Sequence, residues 1–129
     1  MIVHKENIEN IYAKFWIENR ILYVRYKSEV LIELEAARTI VADRIFLQKG
    51  RPYPVLCYTE GIFSSTKNAR DYLANKGSIL TKAIAYLAAP TVSLAMLNFF
   101  IEKNEPSVPS EIFTNEVDAI NFLKPFISL

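Results

Sequence analysis

A chain of 129 residues that is 51% hydrophobic and 22% charged has ample apolar surface for one core, which excludes an intrinsically disordered polypeptide. Its formal net charge of +1 provides no global field to collect nucleic acid or an anionic membrane. With Cys57 as its one cysteine and His4 as its one histidine, the chain cannot form an internal disulfide or assemble the usual zinc ligands.

Residues 1–10 show no basic segment leading into an apolar run, so no signal peptide is indicated, and a mobile N-terminal segment is expected there. Tyr12 to Ile17 and Ile21 to Lys27 are rich in β-branched and aromatic residues, with Glu18-Asn19-Arg20 between them, which predicts a β-hairpin. Alternation puts Leu22, Val24 and Tyr26 on one face with Ala13, Phe15 and Ile17. Tyr12, Lys14, Trp16, Tyr23, Arg25 and Lys27 fall on the other.

Leu34, Ala37, Val41 and Ile45 recur at helical spacing and Gly50 follows as a stop. Val55 to Tyr58 reads as a strand buried on both faces. The stretch from Gly61 to Thr66 reads as a loop, and a short helix follows over Lys67 to Asn75. Lys82 to Ala89 is a second buried strand, ended by Pro90; Thr91 to Lys103 is a helix; Glu111 to Thr114 is a short strand. Asn115 then caps a terminal helix with Val117, Ile120, Phe122 and Leu123 as apolar positions. The predicted order is ββαβαβαβα in a single α/β domain over residues 1–129, with a mixed sheet of about five strands flanked by about four helices. No apolar stretch reaches the ~20 residues that span a bilayer, so the chain reads as cytoplasmic, with no membrane insertion.

The helix predicted over 91–103 has two apolar stripes. One carries Val92, Ala95, Met96 and Phe99 with Phe100 beside it; the other carries Leu94, Leu97 and Ile101. A second stripe on so small a domain is expected to meet another chain, most simply a second copy, unless the neighbouring helix and the 104–109 loop cover it. The expected assembly is therefore a homodimer, with a further protein partner open.

No catalytic constellation emerges. A nucleophilic triad needs a base, and His4 reads as a solvated terminal residue. Gly50, Gly61 and Gly77 are too few and too scattered for a phosphate loop, so no cofactor is expected. Cys57 lies within an apolar strand and reads as a structural thiol. Ser64, Ser65 and Thr66 stand where a helix opens, and a helix cap explains them; phosphorylation is the sharper alternative, stabilised by the helix N-terminus and by Lys67 or Arg70. The aromatic and cationic side chains of the hairpin would suit base stacking, but the near-zero net charge disfavours nucleic acid.

The segments NARDYLA (68–74), AIAYLAAP (83–90) and LNFFIEKNEPSVPSEIFTNEVDAINFLK (97–124) resemble a family of bacterial domains of unknown function with a SpoIIAA-like (STAS-type) fold. The resemblance runs from about Tyr12 to Ile127 and is most specific from Ile112 through Leu123. It implies a mixed sheet flanked by helices and an interaction module; in the sporulation antagonists such a module is switched by phosphorylation of a serine at a helix start. Where that pattern reads Asp-Ser-Ser-Gly, this chain has Phe63-Ser64-Ser65-Thr66-Lys67.

The expected role is a non-enzymatic, self-associating regulatory or protein-interaction domain. The alternative is a carrier of a small apolar or lipid-like molecule, its pocket lined by Ile62, Phe63, Met96, Phe99 and Phe100.

Overall fold

Near-continuous apolar strands, buried on both faces, build the centre of the molecule, which the computed structural model describes over residues 6–88 and 107–127. β1 (Glu6–Glu9), β2 (Ala13–Glu18) and β3 (Ile21–Tyr26) run antiparallel, and β5 (Tyr53–Tyr58), β7 (Thr81–Leu87) and β8 (Ser110–Phe113) extend the sheet in parallel. The spatial order is β1-β2-β3-β5-β7-β8. β4 (Val30–Ile32) and β6 (Ile62–Ser65) form a separate parallel ribbon. The helices are α1 (Leu34–Gln48), α2 (Lys67–Asn75) and α3 (Glu116–Leu123), with one-turn 3₁₀ helices at Lys76–Ser78 and Lys124–Phe126.

The predicted hairpin is present, and its two loop residues, Asn19 and Arg20, have φ of 52° and 65°. Positive φ at both positions matches the twist of the flanking strands. Both sheet faces are covered. Phe15, Leu22, Val24, Val55, Cys57 and Ile84 pack under Ala36, Ala37 and Ile40 of α1 and Ala69 of α2. Ile21, Tyr23, Leu56, Ala83 and Ala85 pack under Ala119 and Leu123 of α3. Ala83 and Ala85 are small enough for α3 to lie close on β7.

Several expectations need correction. Glu6–Glu9 lie inside the segment expected to be mobile, yet they pair with β2 as an edge strand; mostly polar residues give little strand signal, while backbone pairing and Ile8 on the core hold them. The 61–66 loop is in large part strand β6, too short to stand out in sequence and stabilised by pairing with β4. On α1 the buried face is Ala36, Ala37, Ile40, Val41, Arg44, Leu47 and Gln48, whereas Leu34 and Ile45 are half-buried. Ala37 and Val41 are buried as expected; reading apolar residues alone missed the rest of that face, because two hydrogen-bonded polar side chains belong to it. Val117 is 68% exposed, for α3 meets the sheet through Ala119 and Leu123. The helix predicted over 91–103, with Leu94, Leu97 and Ile101, and His4 lie outside the described residues. Among the described residues, no helix is long and apolar enough to cross a membrane.

Candidate functional site

Between the sheet and helices α1 and α2 lies a cavity of about 100 Å³. Its floor is Val24 and Tyr26 of β3, Val55 and Cys57 of β5, and Thr81, Ile84 and Tyr86 of β7. Ile40, Val41 and Arg44 of α1 and Arg70 and Leu73 of α2 form the roof, and Ile32, Ile62 and Ser65 close the side formed by the β4–β6 ribbon. The walls are chiefly apolar. Two arginines line the cavity, and no Asp or Glu stands among its described lining residues.

Arg44 reaches this position because it lies three residues beyond Val41 and four beyond Ile40 on the buried face of α1. It is 5% exposed. Its Nη1 donates to Gln48 Oε1, and its Nη2 donates to the Gly77 carbonyl at 3.2 Å. Gln48, 1% exposed, is fixed in turn by donating Nε2 to the carbonyls of Arg51 (2.9 Å) and Leu80 (2.8 Å). This chain of bonds ties the end of α1 to the turn before β7 and aims the guanidinium.

Burial acts on every titratable group here. It depresses Arg44 to about 10, partly offset by the Tyr26 phenol. It pushes the Cys57 thiol up to about 12 and raises Tyr26 and Tyr86 well above the usual phenol range. At neutral pH the thiol and the phenols therefore keep their protons, and the guanidinium keeps its charge. Cys57 has no thiolate character for nucleophilic work.

Ser64 and Ser65 end β6, and Thr66 is the N-cap of α2. The Thr66 hydroxyl accepts from Ala69 N at 3.3 Å. Arg70 Nη1 donates to the Ser65 carbonyl at 2.7 Å and to its hydroxyl at 3.2 Å. Ile62 and Ser65 line the cavity; Phe63 is 73% exposed and points away from it; Met96, Phe99 and Phe100 lie outside the described residues. Sequence reasoning missed Arg44 and Gln48. The available signal was a charged residue falling on an apolar helical stripe.

The opposite sheet face brings Trp16 and Tyr23 together with Tyr58, their rings nearly parallel with centroids 5.1 to 6.4 Å apart. The Arg25 guanidinium lies 4.2 Å from the Tyr58 ring centroid, and the Tyr58 hydroxyl donates to Glu116 of α3. Tyr12 instead packs on the α1 side, and Lys27 pairs with Glu9 at 2.7 Å. The expected platform is thus smaller than its sequence pattern and largely occupied by its own members. No group of three or more His, Cys, Asp and Glu side chains that could hold a metal occurs among the described residues.

The model of the domain-of-unknown-function family DUF7793 matches residues 15–127. The chain belongs to this family. Its fold is similar to the crystal structure of an uncharacterized protein from the DUF3478 family, with a SpoIIAA-like fold, from Shewanella loihica PV-4. The TM-score is 0.61 at 12% sequence identity, over 95% of this chain and 98% of that one. The architecture is thus SpoIIAA-like, as the sequence resemblance implied. No curated protein matches the chain.

Proposed function

We propose that this DUF7793 domain is a binding module that takes a small apolar molecule into the cavity beneath α1 and α2 and does no chemistry on it. The observation that carries this reading is the cavity itself. Protein interiors are close-packed, so a concave, chiefly apolar space of about 100 Å³ beneath two helices stands out in so small a domain. Apolar walls and a few convergent polar groups are the usual make-up of a ligand site.

Xenon enters dry apolar cavities and tests the reading without knowledge of the natural ligand. Xenon should shift the methyl resonances of Ile40, Val55 and Ile84 saturably, and Ile84→Phe, which fills the space, should abolish those shifts. Equal shifts in both proteins, or none in the parent, would sink the proposal.

A second reading, a STAS-type regulatory interaction module, is favoured by one observation: the Ser65 hydroxyl lies 3.2 Å from Arg70 Nη1, so a phosphate there would meet a guanidinium. Mass spectrometry of protein isolated from its own cells should then find phosphate on Ser65; full peptide coverage without it counts against this reading. Self-association through Leu94, Leu97 and Ile101 belongs to the same reading. Leu97→Glu should convert a dimer to a monomer in sedimentation, and an unchanged assembly state would exclude that stripe.

A further inference from the structure

We infer that the molecule held in this cavity carries a carboxylate seated on Arg44, with an apolar body of about four to six carbons. The inference deepens the small-molecule reading above and rests on it.

Arg44 is a buried cation without a carboxylate partner among the described residues. Both of its hydrogen bonds reach neutral amide or carbonyl oxygens, on Gln48 and Gly77. The ion pairs Lys27 with Glu9, Lys49 with Glu6 and Lys67 with Asp71 all involve side chains at least one-third exposed, and none of them includes Arg44. A buried charge answered only by neutral dipoles is costly, and an anion entering the cavity offsets that cost.

The chemistry of the other walls sharpens the choice. Tyr26, Tyr86 and Cys57 are all held in their neutral forms by burial, so none supplies the missing negative charge. Of the five guanidinium N–H donors, Gln48 and Gly77 take two, which leaves enough for both oxygens of a planar carboxylate. Gln48 holds the fork in place beforehand through Arg51 and Leu80, so little side-chain freedom is lost on binding. Volume guides the rest: a 150 Å³ apolar cavity holds benzene, so ~100 Å³ suits a short or branched aliphatic body.

The test compares isovalerate with isovaleramide, its neutral counterpart of nearly the same shape, by methyl NMR titration of the parent and of Arg44→Met. The acid should shift Ile40, Val55 and Ile84 saturably, and the amide should bind at least about tenfold more weakly. Arg44→Met should lose this preference. Should that variant fail to fold, the acid-to-amide ratio in the parent decides alone. Equal affinity for acid and amide would overturn the carboxylate while leaving the apolar site standing. So would failure of both compounds in a protein that still admits xenon. Failure of both compounds and of xenon would remove the site as well. Tighter binding of isobutylphosphonate than of isovalerate would replace the carboxylate by a phosphate-type head.

Discussion

Gly61 stands where the chain turns from β5 into β6, against the end of β3. A Cβ there would lie 2.1 Å from the Lys27 carbonyl oxygen and 2.6 Å from that of Tyr26. The demand is for space against backbone, which cannot swing away as a flexible side chain does. Gly61→Ala should therefore destabilise the protein by about 2 kcal/mol or more, read from urea unfolding. A loss under ~0.5 kcal/mol would mean that the turn relaxes freely. Nothing in the sequence around Gly61 announced this contact, since the partner atoms belong to residues more than thirty positions away. Arg44 was hidden for a related reason. A charged residue on an apolar stripe reads as a break in the pattern until its hydrogen bonds to Gln48 and Gly77 are seen to hold it there.

At the scale of the elements, α2 and α3 carry side-chain N-caps, whereas α1 has none. The Asn115 side chain accepts from Asp118 N at 2.9 Å, and Thr66 accepts from Ala69 N at 3.3 Å. Glu116 and Asp118 also place negative charge at the start of α3, where the helix dipole favours it. Asn115→Ala and Thr66→Ala should each cost about 1 kcal/mol, with Asn115 the larger, whereas Thr66→Ser should cost little. Urea unfolding of the three variants checks the order; an equal loss for Thr66→Ser and Thr66→Ala would show that the methyl group matters more than the hydroxyl. The Asn115 cap was legible in the sequence, and the cap of α2 was legible to within Ser64, Ser65 and Thr66, because capping needs only a short polar side chain and its own helix. The β4–β6 ribbon and β1 were not, because three- and four-residue strands are stabilised by their partners rather than by their own composition.

The whole molecule has a characteristic response to alkali. Tyr23, Tyr26, Tyr58 and Tyr86 titrate above the ordinary phenol value of 10.0, chiefly through burial, and Cys57 moves from 9.0 to about 12. Above pH 9 the unfolded chain therefore releases protons that the folded chain retains. Stability is intact below that pH and falls as pH rises through the folded values. Arg44, lowered from 12.5 to about 10, acts in the opposite sense there, but it is one group against five. The urea midpoint should be lower at pH 10.5 than at pH 7.5, and the phenol absorbance of the folded protein should titrate late. An unchanged midpoint would mean that these hydroxyls reach water.

Local pattern by itself determined the α/β class, the hairpin, the buried strands β5 and β7, the span of α2, the cap at Asn115 and the 64–66 stretch that holds the cap of α2. Each of these follows from periodicity or from a side chain bonding its own neighbours. Only the tertiary structure decided that β1 adds an edge, that Tyr58 joins Trp16 and Tyr23, and that Arg44, Tyr26, Cys57 and Tyr86 surround one cavity. Those residues come from separate elements, and their meeting is set by strand order and helix packing, which a single linear pattern does not encode.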